Sequence, residues 1–183
     1  MFSLFKKTLP FIVAGGMLAA SHGALAKQIT IGMSFQEMNN DYFVTMKQAL
    51  DQAAADIGAK VYVADARHDV AKQIGDVEDM LQSAPDLAGI FSVNDVGALG
   101  ALAAIESNGA KVKLVSVDGQ PEAIKEILKP NSPFIATSAQ FPRDQLRIAL
   151  GIALARYWGA TVPKTVPVKV KLIDRSNAAG FSW

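Results

Sequence analysis

Residues 29–64, ITIGMSFQEMNNDYFVTMKQALDQAAADIGAKVYVA, contain two short apolar segments separated by a longer amphipathic one. The two apolar segments predict β-strands at Ile29–Ser34 and Lys60–Ala64. The apolar residues between them recur at helical spacing: Phe43, Met46, Leu50, Ala53 and Ile57. Gly58 follows as a helix C-terminal signal. The stretch therefore predicts a β-α-β unit.

The same alternation continues to the end of the chain. Further strands are predicted at Ala88–Val93, Lys113–Val117 and Phe134–Ala139, with a sixth near Val166–Ile173. Helices are predicted after Asp69 and at Asp95–Asn108, Pro121–Leu128 and Pro142–Trp158. Alternating strands and helices imply a parallel sheet covered on both faces. We predict an α/β fold with a doubly wound, flavodoxin-like sheet in the order 2-1-3-4-5, and these buried core residues: Leu50, Val61, Val77, Ile90, Val115 and Ile135.

The N-terminal residues resemble an export signal. Lys6 and Lys7 precede the apolar stretch Leu9–Ala20, and Ala24-Leu25-Ala26 has the small-residue pattern of a cleavage site. We predict a signal peptide at 1–26 and a single domain at 27–183. The chain contains no cysteine, so neither disulfides nor a lipid anchor is expected.

Composition argues against nucleic acid and membrane partners. Without Lys6 and Lys7 the chain has 16 basic and 17 acidic side chains, a formal charge of −1. No basic patch is visible, which disfavours nucleic-acid binding. The remaining apolar segments are amphipathic or only as long as a strand, so no membrane span is predicted for the mature chain.

Polar residues follow several predicted strands. The first strand is followed by Asn40, Tyr42 and Phe43, the third by Asn94 and Asp95, the fourth by Asp118-Gly119 and the fifth by Gln140. Ligands of such sheets bind beyond the carboxyl ends of the strands. Amides and carboxylates suit vicinal hydroxyls, and an aromatic ring suits the apolar face of a sugar. The pattern favours a polyol or sugar site.

Simpler roles compete for each of these residues. Asn40 and Asp95 could be helix N-caps. Phe43 lies on the apolar stripe of its helix and is better explained as core, which leaves Tyr42 as the better aromatic candidate. Asp118-Gly119 could be an ordinary turn.

The sequence gives little support for a catalytic function. His68 is the only histidine of the predicted mature chain, and it lies between Arg67 and Asp69 at a predicted helix start, where a solvated or capping role is favoured. No nucleophile elbow, metal-spaced cluster or phosphate-binding glycine loop is present in the sequence. We predict no catalytic residue, metal or cofactor.

Four segments together resemble the type I periplasmic sugar-binding proteins, close to the ribose-binding group. They are KQITIGMSFQEMNNDYFVTMKQAL (27–50), FSVNDVGALGALAAIESNG (91–109), LVSVDGQPEAI (114–124) and IATSAQFPRDQLRIAL (135–150). The resemblance implies a soluble periplasmic receptor of an ABC sugar importer. It also implies two lobes hinged around the sugar and a mature chain nearly twice as long.

The resemblance therefore implies an internal deletion, with lobe-one-like and lobe-two-like parts joined near 79–83. The family's Asp-Arg pair and a further sugar-binding arginine would fall within the missing part. The family's last helix packs beside the first helix, so a single-domain hybrid is expected to place both helices on one face of the sheet.

The resemblance marks six residues as sugar contacts: Asn40, Tyr42, Phe43, Asn94, Asp118 and Gln140. The expected ligand is a pentose or hexose, and the expected partner of a complete version is the ABC permease. Two alternatives stay open. The chain could be a folded fragment that does not transport, or a small exported enzyme on a flavodoxin-like sheet.

Overall fold

The computed structural model describes residues 28–182, so the predicted signal peptide lies outside the described residues. Six strands are present: β1 Thr30–Phe35, β2 Lys60–Asp65, β3 Leu87–Ser92, β4 Lys113–Asp118, β5 Phe134–Ala139 and β6 Lys171–Asp174. Five helices alternate with them: α1 Asp41–Asp56, α2 Val70–Ser83, α3 Asp95–Ser107, α4 Pro121–Leu128 and α5 Pro142–Tyr157.

The six strands form one sheet in the order β2-β1-β3-β4-β5-β6. The first five are parallel, which confirms the doubly wound 2-1-3-4-5 order. The sixth runs antiparallel to β5, with Thr137 paired to Ile173. It is shorter than predicted: Pro167 cannot donate a ladder hydrogen bond, and pairing begins only at Lys171.

Side-chain caps start three of the helices where the sequence places them. The Asn40 side chain accepts a hydrogen bond from the backbone N–H of Phe43, Asp69 accepts from Lys72, and Asn94 accepts from Gly97. Each cap satisfies a backbone donor that the first turn of a helix leaves unpaired. The N-cap of α3 is thus Asn94, and Asp95 is the first helical residue.

The main core lies between the sheet and α2, α3 and α4. Val77 of α2 and Ile90 of β3 are buried there, as predicted. The largest side chains of this core include Met80, Ile105, Leu114, Ile127, Phe134 and Ile173. Three helices cover this side of the sheet, and it supports the loops that follow β3 and β4.

The opposite face is covered only in part. Helix α1 packs Phe43, Met46 and Leu50 against a smaller cluster around Met33 and Phe35. Helix α5 has no buried residue, so the expected covering of this face by both α1 and α5 is not observed.

Four predicted core residues are affected by this partial covering. The prediction for Ile135 is wrong, because its side chain is 39% exposed where no helix lies over β5. Leu50, Val61 and Val115 are half-buried rather than buried. Among residues 28–182, no helix has the length and apolar content that crossing a membrane requires.

Candidate functional site

A cleft of about 390 Å³ opens at the carboxyl ends of β1, β2, β3 and β4. We call it the strand-end cleft. Its lining is Gln36, Ala66, His68, Asp69, Val70, Gln73, Asn94, Val96, Gly97, Asp118 and Gln120. This is the place where the doubly wound topology predicts a ligand, because the strand order reverses between β1 and β3.

Asn94 lines the cleft and joins two loops. Its side-chain oxygen accepts from Gly97 N at 2.7 Å, and its amide nitrogen donates to the Gln36 Oε1 at 2.6 Å. The residue is therefore both the N-cap of α3, a role that the sequence analysis had offered to Asp95, and a lining residue. A ligand hydroxyl would have to share these atoms or displace the bond to Gln36.

Asp118 lies across the cleft at the end of β4. Its carboxylate accepts from the backbone N–H of Asp95 at 3.4 Å. Burial raises its pKa above the ordinary value of 3.8, and the nearby Asp95 charge adds to the rise. Its φ of 124° is one that a non-glycine residue rarely adopts. Such strain is characteristic of functional positions.

Asp95, unlike Asp118, is fully buried beneath the cleft. Its Oδ1 accepts hydrogen bonds from the Ser116 hydroxyl and, at 2.8 Å, from the Thr137 hydroxyl; its Oδ2 accepts from Gln120 N at 2.6 Å. These contacts join α3 to β4, to β5 and to the loop that follows Asp118. Asp95 thus positions the cleft from below.

The first predicted cluster lies beside the cleft rather than in its lining. Asn40 donates to Glu37 Oε1 at 3.0 Å while capping α1, so both of its polar atoms are engaged. Phe43 is half-buried and stacks edge-on against Phe35, 5.9 Å between ring centroids. Tyr42 stacks on Phe43 but is 65% exposed. Of the two aromatic residues, Tyr42 has the freer ring.

Gln140 follows β5 and also lies outside the cleft lining. Its backbone N–H donates to the Asp118 carbonyl at 3.1 Å. The structure thus brings Asn94 and Asp118 together in the cleft, with Gln140 next to Asp118 and the group of Asn40, Tyr42 and Phe43 on the β1 side.

Several polar residues of this region were not among the predicted contacts, and three of them form a network: Gln36, Glu37 and His68. The His68 ring contacts Glu37 Oε2 through Nε2 and lies 3.0 Å from the Gln36 amide nitrogen through Nδ1. Gln36 in turn accepts from Asn94. This network links the loops after β1, β2 and β3, and through Glu37 it reaches Asn40.

The available sequence signal for this network was weak. Arg67 and His68 both adopt positive φ, 51° and 62°. That turn conformation brings His68 back towards the end of β1. A polar triplet after a strand could have suggested Gln36 and Glu37, whereas the position of His68 depends on the turn.

The site offers amide donors, amide acceptors and carboxylate acceptors at the edge of a partly apolar cleft. Such an arrangement can bind a small polyhydroxylated molecule, because each hydroxyl both donates and accepts. Within the described part of the chain, no three His, Asp or Glu side chains are grouped as metal ligands would be.

Sequence comparisons identify related proteins. A family model for a periplasmic binding protein domain matches residues 76–157. The ribose import binding protein of Bacillus subtilis is 36% identical over 121 residues, which cover 66% of this chain and 39% of that protein. The ribose import binding protein of Haemophilus influenzae is 31% identical over 165 residues, covering 88% of this chain and 54% of that protein. These relatives are binding proteins.

Solved structures agree on the fold. An ABC transporter solute-binding protein from Mycobacterium smegmatis, with bound glycerol, has a TM-score of 0.68 and 27% identity. The match covers 83% of this chain and 53% of that protein. An ABC transporter solute-binding protein from Actinobacillus succinogenes, with bound D-allose, has a TM-score of 0.70 and 23% identity. The match covers 83% of this chain and 54% of that protein. This chain spans about half the length of the proteins it matches, or less.

Proposed function

Because this chain is similar in sequence and fold to the type I periplasmic sugar-binding proteins, we propose that it is a shortened solute-binding protein for a monosaccharide. The observation that carries the proposal is the meeting of Asn94 and Asp118 in the strand-end cleft. The segments containing them, 91–109 and 114–124, resemble that family, and both residues lie at the carboxyl ends of parallel strands.

The chemistry of the cleft supports a sugar over a charged ligand. The Asp118 carboxylate can accept hydrogen bonds from neighbouring hydroxyls, and Asn94 can donate and accept. Tyr42 presents an exposed ring beside them. A ribose import binding protein and a solute-binding protein with bound D-allose are among the proteins similar to this chain, and we propose a pentose or a hexose as the ligand class.

We further propose export to the periplasm through cleavage after Ala26, with an ABC permease as the partner of a complete version. The residues 1–26 pattern and the periplasmic binding protein match support this location. Intact-mass measurement of periplasmic material should give a chain beginning at Lys27. A soluble protein that retains residues 1–26 would contradict the cleavage.

The proposed affinity is weak. The cleft is open on the side away from the sheet, so each hydrogen bond to the sugar competes with water. Such a bond contributes about 0.5–1.5 kcal/mol net, whereas micromolar binding needs about 8 kcal/mol and must also offset the cost of association. We expect millimolar or weaker dissociation constants for pentoses and hexoses.

Calorimetry with a panel of pentoses and hexoses tests the proposal. Asp118→Asn should weaken binding, because the amide replaces a charged acceptor, while Asp144→Asn on the exposed start of α5 should leave it unchanged. Micromolar binding by a monomer would show that the cleft is more complete than we propose. Binding that is equally strong in Asp118→Asn would place the sugar elsewhere.

A second candidate is a folded, non-transporting fragment of such a receptor that has no measurable sugar affinity. The observation that favours it is coverage, since the match extends over only 39–54% of the ribose import binding proteins. Thermal unfolding in the presence of sugars separates the two. A sugar-dependent rise in the unfolding temperature supports the binding function, and an unchanged temperature at saturating sugar supports the fragment.

A further inference from the structure

Helix α5 exposes an apolar stripe along its length. The stripe consists of Leu146, Leu150, Leu154 and Tyr157, whose spacing places them on one side of the helix. Leu146 is 72% exposed, Leu150 61% and Tyr157 84%. Contiguous exposed apolar surface of this kind marks an interaction site in a soluble protein.

One face of the sheet is only partly covered at β4, β5 and β6 in the same molecule. We call it the open sheet face; it consists of Val115, Val117, Ile135 and Leu172 on β4, β5 and β6. Leu172 is 61% exposed, and it pairs with Ser138 on the side of the sheet opposite the buried Ile173. Ile135 and Leu172 line a groove of about 630 Å³, and Lys113, Asp174 and Arg175 contribute polar groups to its lining.

The α5 stripe is held away from its own open sheet face. The Phe141 ring, immediately before α5, stacks edge-on against Phe181 with 6.3 Å between centroids. Phe181 packs on the core of α2, α3 and α4, which lies on the other side of the sheet. Because only Gln140 and Phe141 connect β5 to α5, this contact directs the start of the helix.

The dimensions of the two surfaces correspond. Helix α5 has 16 residues, about 24 Å at 1.5 Å per residue. A six-residue strand such as β5 extends about 20 Å. The exposed fractions of the side chains on the two surfaces add up to about three and a half whole side chains. At roughly 150–200 Å² for each side chain, burying them would remove roughly 600 Å² per chain from water, which is the lower end of the roughly 600–1,000 Å² per partner of stable interfaces.

We propose that two copies of this chain associate, with α5 of each copy lying on the open sheet face of the other. A two-fold axis makes the contact twice, so both apolar surfaces of both chains are covered by one closed arrangement. Both halves of the interface occur in this chain, and their area reaches the lower end of the range for stable dimers. This association does not depend on sugar binding.

Sedimentation of the chain from Lys27 over a range of concentrations tests the association. We expect a monomer–dimer equilibrium in the micromolar range. Leu150→Glu and Leu172→Glu each place a charge in the contact and should raise the dissociation constant about tenfold or more. Both positions are exposed in the single chain, so circular dichroism should show an unchanged fold. Ile57→Glu, also exposed at the end of α1, should leave the dimer intact.

A double variant tests the pairing of the two surfaces. Leu150→Lys combined with Leu172→Glu places opposite charges across both contacts and should recover much of the dimer that the single changes lose. A chain that stays monomeric at all concentrations overturns the proposal. Loss of the dimer in Leu150→Glu but not in Leu172→Glu overturns it in favour of α5 pairing with itself. Growth beyond a dimer also overturns it.

Discussion

Asp118 combines an unusual backbone conformation with an unfavourable charge. Its φ of 124° and its raised pKa both represent costs to the folded state. The cleft nevertheless needs an acceptor at this position if it is to hold hydroxyl groups. The proposed sugar contact at Asp118 therefore opposes stability.

The charge of Asp118 predicts a pH effect of known sign. Because the folded-state pKa is raised above 3.8, ionisation is disfavoured in the fold, and stability is lost as pH rises through the folded pKa. The side chain of Asp118→Asn is neutral at every pH, so at neutral pH this variant should unfold at a higher urea concentration than the parent protein. The gain should shrink towards acid pH, where the parent is protonated too.

Asp174 offers a control of opposite sign. The Ser176 hydroxyl and backbone N–H donate to its carboxylate and hold its pKa below the ordinary value. The stability that the ionised Asp174 carboxylate contributes is present above pH 3.8 and is lost as the pH falls through the lowered pKa. Asp174→Asn should therefore reduce stability at neutral pH. If both variants shift in the same direction, the Asp118 argument fails.

The buried carboxylate of Asp95 predicts a large stability effect. Asp95→Ala leaves the Ser116 hydroxyl, the Thr137 hydroxyl and the Gln120 N–H without their acceptor. Unpaired buried donors cost about 1–3 kcal/mol each, so we expect a loss of roughly 3 kcal/mol in urea unfolding. Asp41→Ala, in the exposed first turn of α1, should cost below about 1 kcal/mol. Similar losses in the two variants would contradict the role of Asp95.

At the scale of elements, α2 and α3 pack unusually closely near the cleft. A Cβ on Gly97 would lie 2.9 Å from Gln73 Cδ and would overlap the Gln73 amide nitrogen. Gln73 is buried and donates to the Ser34 hydroxyl at 3.0 Å, so it has little freedom to move. This glycine therefore determines how closely the two helices approach.

A pair of glycine substitutions tests this packing. Gly97→Ala should destabilise the protein and disturb the cleft, because Gln73 and Gly97 both line it. At Gly75, in the middle of α2, an added Cβ would have no neighbouring side chain or backbone of another element within 4 Å. Gly75→Ala should therefore stabilise by about 0.5–1 kcal/mol. Thermal unfolding measures both, and a stabilised Gly97→Ala would refute the close packing.

Sequence periodicity predicted the positions of the helices and strands well, but it predicted less well which of them are buried by other elements. The helix starts at Asn40 and Asp69 follow from capping chemistry that acts within a few residues. For α3 the same chemistry was assigned to Asp95, one residue after the actual cap, Asn94. The covering of α5 depends on which surface reaches it in three dimensions, and Leu146, Ile148, Leu150, Ile152 and Leu154 carry no information about that. The helix was therefore predicted correctly, and its packing was not.

The candidate site shows the same division. Asn94 and Asp118 were predicted from their place at strand ends, which the topology alone determines. The link from His68 to Glu37 and Gln36 requires two consecutive positive-φ residues, Arg67 and His68. Neither is a glycine, so the sequence contains no conformational signal for that turn.

For the whole molecule, the unequal covering of the sheet predicts unequal sensitivity to truncation. Ile90→Ala should cost about 2–5 kcal/mol, because the side chain is 1% exposed in the main core. Ile135→Ala should cost below about 1 kcal/mol when measured at concentrations where the chain is monomeric. Urea unfolding compares the two changes, which remove the same atoms. Equal losses would show that the open sheet face is covered within one chain.

The place of β1 in the sheet also has a consequence for how the chain acquires its structure. β1 bonds to β2 on one side and to β3 on the other. A growing polypeptide that has emerged only to residue 83 therefore leaves one edge of β1 open to pairing with other chains. Once Leu87–Ser92 has been added, β4, β5 and β6 each join the strand made just before them. Among the described strands, β1 alone waits through an intervening helix and strand before its second neighbour is made.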